Sequence, residues 1–321
     1  KNDQAAQALA RMAQSATSEP QKLRYALRLG QCAYLDKNFE QAVGHLKTVV
    51  ESRQAAEDPA LREALFLMGD CLLQLNKPEE AAKVLDRYCK LSKTPRDEAL
   101  YKLAAAQARA EDFDDADKTL QRLAKLPADS PWVQRGLLDH AQILYNRKQA
   151  KKAAPVLAAL LAAKPADDLH AQALYLQGWI DFDARSFDSA AAKFASLAGQ
   201  FPKHALAGDA RYQQALALKE AGKNEQAVAL LEGYLKDFPQ GAHAQNARQL
   251  IGASLAQMGK GDEAVKRLSA MAADRSSVSE QVLYQLAWAQ RRTDQKDAAA
   301  ATYRRMLTEY ADGKMAIAAR A

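Results

Sequence analysis

Histidines are the residues in this sequence with the clearest capacity for metal binding and proton transfer. They stand at His45, His140, His170, His204 and His243. None lies at metal-ligand spacing from another histidine or from a cysteine, so the sequence predicts no metal centre. His140 directly precedes Ala141 on the stripe of its predicted helix that faces the core. We therefore interpret its imidazole as a buried, hydrogen-bonded group rather than a ligand.

Carboxylates, hydroxyls and glycine-containing turns likewise form no catalytic pattern. Asp181 and Asp183 are two residues apart, which on a helix points their side chains in different directions. Glycoside hydrolysis requires two carboxyl groups aimed at one bond. The Gly259-Lys260-Gly261 segment is a turn without a preceding strand, and no serine lies in a nucleophile-elbow sequence. The sequence therefore predicts a non-enzymatic protein that needs no cofactor.

Composition excludes several other classes of protein. The 321 residues carry 45 Lys and Arg against 39 Asp and Glu, and this charge of +6 forms no basic stripe of the kind that binds nucleic acid. The longest apolar stretch, residues 153–163, is too short to span a bilayer. Three cysteines, Cys32, Cys71 and Cys89, are an odd number in a long chain. We therefore expect buried thiols and no disulfide framework.

The elements that position these residues follow from a repeat. An alanine recurs at intervals of 35–39 residues, most often 37, at Ala5, Ala42, Ala81, Ala116, Ala153, Ala190, Ala227, Ala264 and Ala299. Four and seven residues after each alanine stands a large apolar or aromatic residue, as at Leu46 and Val49. Positions i, i+4 and i+7 share one helix face, so each repeat contains a helix with a buried stripe, which we call helix B.

A second column of small residues lies twelve positions before the alanines. This small-residue column consists of Gly30, Gly69, Ala104, Ala141, Gly178, Ala215, Gly252 and Ala287. A glycine inside a helix costs about 1 kcal/mol relative to alanine, so glycines that recur at one position predict a close approach of two helix backbones. Polar turns such as Asp36-Lys37-Asn38 separate the two columns. Each repeat is therefore predicted to be a helix hairpin with the small residue on its first helix, helix A.

The columns resemble the tetratricopeptide repeat, which has a small residue in helix A, then an alanine in helix B, then a proline. Proline stands twelve residues after the alanine at Pro165, Pro202 and Pro239. The resemblance covers essentially the whole chain, although the period exceeds the usual value of about 34 residues. It implies an all-α, right-handed superhelical solenoid of stacked helix-turn-helix repeats. The junctions at residues 200–205 and 237–242 are similar to those of the family's bacterial cell-envelope members, the outer-membrane assembly lipoproteins and the Tol-Pal-associated periplasmic proteins.

We expect a single array over residues 1–321. It comprises a partial repeat at 1–18, the start of a further repeat at 313–321, and full repeats at about 22–57, 61–95, 96–130, 132–166, 169–204, 206–241, 243–277 and 279–312. Ala5 would belong to a helix B whose helix A precedes Lys1, and Lys1 is followed by polar residues rather than by the apolar core of a signal peptide. Neither end carries an obvious polar capping helix, so the sequence predicts a segment of a longer protein.

In this family one face of helix A lines a concave groove, and the resemblance implies the same here. The A-helix face comprises the positions three before, one after and four after each member of the small-residue column. The residues that we expect to bind a partner there are Tyr145, Tyr175, Trp179, Phe182, Tyr212, Tyr284, Trp288 and Arg291. Exposed aromatic side chains often anchor partners. The competing interpretation is that these aromatics pack between adjacent helices, as we expect for Trp132.

The resemblance implies a non-catalytic scaffold that binds a peptide or partner protein in this groove. The alternative is an accessory or regulatory region of a cell-envelope or polysaccharide export and assembly system. The expected location is the bacterial cell envelope or periplasm, with the cytoplasm as the alternative. RNA binding would require paired polar residues in each repeat, where Ala105, Ala253 and Ala256 stand instead.

Recognition of an acidic chaperone tail is not predicted. Co-chaperone members of the family bind such a tail with lysine, asparagine and arginine at set positions of the groove. The corresponding positions here hold Leu27, Gln31, Leu67, Glu98 and Lys102.

Overall fold

The computed structural model describes residues 2–273 and 278–315, and within them the chain forms eighteen α-helices and no β-strand. The all-α fold class predicted from the sequence is confirmed. The chain divides into two compact units, Lys1–Pro165 and Ala166–Ala321.

The first unit contains helix α1, Asn2–Gln14, followed by four helix hairpins. Their A helices are α2 Glu19–Leu35, α5 Pro59–Gln74, α7 Asp97–Arg109 and α9 Pro131–Asn146. Their B helices are α3 Phe39–Glu51, α6 Pro78–Leu91, α8 Phe113–Leu123 and α10 Ala150–Ala162. A short helix that the sequence did not predict, α4 Gln54–Glu57, lies between α3 and α5. It falls in the longest interval of the alanine column, the 39 residues between Ala42 and Ala81.

The second unit consists of four further hairpins. Their A helices are α11 Asp167–Asp183, α13 Ala207–Glu220, α15 Ala244–Gln257 and α17 Glu280–Arg292. Their B helices are α12 Phe187–Gln200, α14 Asn224–Asp237, α16 Gly261–Ala273 and α18 Lys296–Glu309. The expected start of a further repeat at 313–321 lies largely outside the described residues, and the expected repeat boundaries stay a prediction.

Every hairpin turns at the residue seven positions after the small-residue column. These residues have φ between 56° and 78° and are Lys37, Asn76, Glu111, Lys148, Arg185, Gly222, Gly259 and Asp294. The next N–H then bonds back to a carbonyl near the end of helix A, as when Asn38 donates to Ala33 at 2.9 Å. This left-handed cap satisfies carbonyls that the end of a helix leaves unpaired.

The small-residue column makes room for the helix B side chain that stands four residues after the alanine. A Cβ atom at Gly30 would lie 2.6 Å from the side chain of Leu46, and one at Gly178 would lie 2.6 Å from that of Phe194. Leu46 and Phe194 are fully buried. The sequence predicted a close approach of two backbones, whereas the structure shows that a side chain of helix B lies directly against the backbone of helix A.

The alanine column is buried as its periodicity predicts. Each member that the structure describes with its side chain, from Ala42 to Ala299, is at most 4% exposed. Together with the small-residue column it fixes which stripe of each helix faces its hairpin partner, because both positions exclude larger side chains.

We expect Gly30→Ala and Gly44→Ala to change stability in opposite directions. The new methyl group at position 30 overlaps buried Leu46, so the free energy of unfolding should fall by about 1–3 kcal/mol. Gly44 is an exposed position of α3 with no atom near its missing Cβ, so alanine there should add about 0.5–1 kcal/mol. Urea denaturation of both variants measures the two effects, and stabilisation by Gly30→Ala would contradict the packing.

Candidate functional site

Trp179 on α11 lies within a cluster of aromatic rings in the second unit. Its ring centroid is 5.7 Å from that of Phe182, 6.0 Å from Phe194 and 6.2 Å from Tyr175, each in edge-to-face geometry. Trp179, Tyr175 and Phe182 are half-buried, and Phe182 also contacts Phe187 at 5.3 Å. The A-helix face thus brings together the three aromatics predicted for this repeat, and rings from helix B hold them in place.

Tyr175 also connects consecutive A helices of the second unit. Its hydroxyl donates a hydrogen bond to Asp209 on α13, and the imidazole of His243, just before α15, contacts the other carboxylate oxygen of Asp209. The Tyr212 ring is stacked on His243, with centroids 4.3 Å apart and planes within 4°. Burial, and then the hydrogen bond to Asp209, raise the pKa of Tyr175 to about 12. Burial likewise raises the pKa of Tyr212.

Tyr284 and Trp288 line an open cleft between α15 and α17. Its volume is about 180 Å³, and Gly252, Ala253 and Leu268 also line it. Both aromatic side chains are half-buried, so part of each ring remains accessible. On the α15 side of the cleft, Gly252 and Ala253 are too small to fill the space beside Trp288.

Polar groups flank this cleft. The Arg292 guanidinium lies 4.8 Å from the centre of the Trp288 ring, a cation–π contact, and the predicted residue Arg291 is exposed one position earlier. The side-chain oxygen Oε1 of Gln285 lies in the cleft lining, buried and without a hydrogen-bond partner among the described residues. A buried acceptor without a partner costs about 1–3 kcal/mol.

The first unit contains the remaining predicted residue, Tyr145, half-buried near the end of α9. Trp132 packs against Tyr101 with ring centroids 5.4 Å apart, in agreement with its predicted packing role. A feature that sequence reasoning missed is a hydrogen bond from a tyrosine of one A helix to an aspartate of the next. Tyr34 donates to Asp70 at 2.5 Å, and Tyr101 donates to Asp139 at 3.1 Å.

The histidine, carboxylate and cysteine side chains do not assemble into a metal site in the described part of the chain, and several of them are buried or hydrogen-bonded instead. In residues 2–273 and 278–315 no three His, Cys, Asp or Glu side chains are grouped as metal ligands. His140 is buried, and its Nε2 lies 2.6 Å from Asp117 Oδ1. Cys71 and Cys89 are buried, which raises the pKa of both thiols, whereas Cys32 is half-buried. No helix in the described part of the chain has both the length and the apolar character of a membrane span.

Three family models match parts of the chain. The model of anaphase-promoting complex, cyclosome, subunit 3 matches residues 1–88, that of an outer membrane lipoprotein matches 167–267, and that of the tetratricopeptide repeat matches 98–128 and 281–313. No curated protein matches the chain.

Solved structures of tetratricopeptide-repeat proteins share the fold. The C-terminal part of a repeat protein from Cytophaga hutchinsonii aligns with a TM-score of 0.62 at 12% identity, over 81% of this chain and 98% of that one. A repeat protein from Parabacteroides merdae aligns with a TM-score of 0.50 at 14% identity, over 77% and 92%. The Naa15/Naa10 structure with HypK-THB aligns with a TM-score of 0.57 at 16% identity, over 92% of this chain and 43% of that one.

The helix hairpins, their small-residue contacts and these similarities define the class of protein. The chain is an all-α protein built from tetratricopeptide-type repeats. Repeats of this type generally form non-catalytic scaffolds for protein–protein interaction, which bind protein or peptide partners on an extended surface.

We expect Trp179→Ala to lower the free energy of unfolding by about 2–3 kcal/mol, because it removes a ring that three other aromatics contact. Chemical denaturation measures the loss. An unchanged unfolding free energy would show that the Trp179 ring contributes nothing to stability. Partner binding would then be the remaining role for this residue.

The hydrogen bond of Tyr175 should give a stability difference that depends on pH. The pKa of its phenol is near 10 in the unfolded chain and about 12 in the folded one. Burial and the hydrogen bond to Asp209 both favour the neutral phenol, so their contribution to stability is complete below pH 10 and is lost as the pH rises from 10 to 12. Unfolding free energies of the wild type and Tyr175→Phe should converge over that interval, whereas a constant difference up to pH 12 would contradict the assignment.

Proposed function

We propose that the chain is a non-catalytic scaffold that binds a peptide or a segment of a partner protein on its A-helix face. The binding residues proposed in the second unit are Tyr175, Trp179, Phe182, Tyr212, Tyr284, Trp288 and Arg291, and Tyr145 has the same role in the first unit. The observation that carries the proposal is the cleft between α15 and α17, where Trp288 stands open beside Gly252 and Ala253.

The cleft has the features of an anchoring site for one apolar or aromatic side chain. The Arg292 guanidinium lies over Trp288, and the Tyr303 ring lies 6.2 Å from Tyr284, so other side chains hold both aromatic rings of the α17 wall. An ordered aromatic wall loses little conformational entropy on binding.

The aromatic cluster around Trp179 has a supporting part in this proposal. The contacts of Trp179 with Phe194 fix the ring against helix B, and the hydrogen bond of Tyr175 to Asp209 fixes the next A helix. The half-buried rings present their remaining accessible edges on the same face of α11. We propose that a bound segment contacts these edges while the cleft at Trp288 receives its main anchor.

We also propose that the protein acts in the bacterial cell envelope or periplasm. The match of residues 167–267 to the outer membrane lipoprotein model supports this location, as does the similarity of the repeat junctions. A role as an accessory region of an envelope or polysaccharide export and assembly system is the alternative function. Fractionation of cells that produce the native protein tests the location, and recovery in the cytoplasm alone would contradict it.

The binding proposal is tested with peptides selected from a random phage-displayed library on the purified chain. Trp288→Ala should weaken the selected peptide by at least about 2 kcal/mol, because it removes the anchor wall. Ala253→Leu should weaken it similarly by filling the cleft. The control is Ala229→Leu, at an exposed position of α14.

Ala253→Leu and Ala229→Leu should keep their thermal unfolding midpoints within a few degrees, because their side chains are at least partly exposed. Trp288→Ala should lower its midpoint, because Trp288 is half-buried against the core of the second unit, so binding is measured well below that midpoint. Undiminished binding by both cleft variants would contradict the proposed site.

A further inference from the structure

A second cleft lies on the A-helix face of the first unit, between α7 and α9. It has a volume of about 310 Å³. Ala104, Ala105 and Ala108 on α7 and Leu120 on α8 give it an apolar lining, and Tyr101 stands at one side. Tyr101 belongs to the A-helix face by its sequence position, but none of the eight residues predicted to bind a partner lines the cleft. From its residue type, Ala105 is predicted only to be unable to recognise RNA.

This cleft and the one in the second unit arise at the same position of the repeat. Ala105 and Ala253 each follow a member of the small-residue column by one residue, where Trp179 and Trp288 stand in other repeats. An alanine there leaves a gap, and the next A helix supplies the opposite wall. The walls differ in chemistry, since α17 contributes Tyr284 and Trp288 whereas α9 contributes Arg135, Asp139 and Gln142.

The rim of the first-unit cleft carries unbalanced positive charge. Arg109 lines the cleft, is exposed, and has no ion-pair partner in the described part of the chain. Arg135 is also exposed, and its only ion pair among the described residues is a long one, 3.5 Å to Asp139. Asp139 also accepts the hydrogen bond of Tyr101, so its carboxylate is shared between Tyr101 and Arg135.

Neighbouring charges do not neutralise these arginines. Lys102 is almost buried and lies 2.7 Å from Asp70 and 2.9 Å from Glu98, and none of these three charged groups lines the cleft. Neither Arg109 nor Arg135 occupies a position of the co-chaperone clamp, whose counterparts here include Glu98 and Lys102.

We propose that this cleft is a second binding site of the chain, specific for an acidic segment of a partner protein in which an apolar residue is flanked by carboxylates. The apolar side chain lies against Ala104, Ala105 and Ala108, and the flanking carboxylates pair with Arg109 and Arg135. Arginine suits this role because its planar guanidinium binds carboxylate with two parallel hydrogen bonds. The proposal is independent of the aromatic cleft in the second unit.

Two fluorescein-labelled peptides of eight residues test the site, one alternating leucine with glutamate and one alternating leucine with lysine. Fluorescence anisotropy at low salt should show binding of the acidic peptide at least about ten-fold tighter than the basic one, and added salt should weaken it. Arg109→Gln and Ala105→Leu should each reduce its affinity by about ten-fold or more. Arg109 is exposed, so its variant tests the site even if Ala105→Leu perturbs the fold.

Ala253→Leu is the matched control, because it fills the equivalent position in the second unit and should leave the acidic peptide bound as before. Loss of binding in Ala253→Leu with full binding in Ala105→Leu would overturn this inference and leave the second-unit proposal standing. Equal binding of both peptides, preference for the basic peptide, or no binding of the acidic peptide to the wild type would each overturn it as well.

Discussion

The contact between the small residue of helix A and the large apolar side chain of helix B is the constraint on which every hairpin depends. At Gly30 and Gly178 the space that a methyl group would need is already occupied by Leu46 and Phe194. Once this contact fixes the rotation of helix A, the position one residue later must turn about 100° away from helix B. The A-helix face is therefore a consequence of hairpin packing, and its side chains are free to vary because they do not form that contact.

Much of the fold could be predicted because this packing contact requires small and large apolar residues at regular intervals in the sequence. The alanine column and its apolar companions are buried as their spacing indicates. The turns are harder to predict from the sequence. All eight turn residues adopt a left-handed conformation, yet only Gly222 and Gly259 are glycines. Backbone hydrogen bonds define this cap, so Lys148 or Arg185 can occupy it at modest cost and without a sequence signature. The only sequence feature that accompanies the short helix α4 is a longer interval in the alanine column.

The candidate site was less predictable, because it depends on contacts between repeats rather than within them. The sequence placed Trp179 and Trp288 at the same repeat position and could not separate their environments. Phe194 from helix B packs against Trp179, whereas Gly252 and Ala253 leave Trp288 open. The tyrosine–aspartate hydrogen bonds form no column either, since the aspartates of Tyr34, Tyr101 and Tyr175 stand at three different offsets from the small residue.

These differences indicate where specificity arises in a chain of this kind. Positions that make the hairpin contact are nearly invariant in size from repeat to repeat, so they carry no information about a ligand. The position one residue later holds tryptophan in two repeats, alanine in two, and larger polar or apolar residues in the other four. Ala105 and Ala253 each open a cleft whose chemistry the next A helix sets. Aromatic residues of α17 line the gap at Ala253, and mainly polar and charged residues of α9 line the gap at Ala105. Identical backbone geometry thus yields sites of different chemistry, because the scaffold fixes the position of each gap and leaves its walls unconstrained.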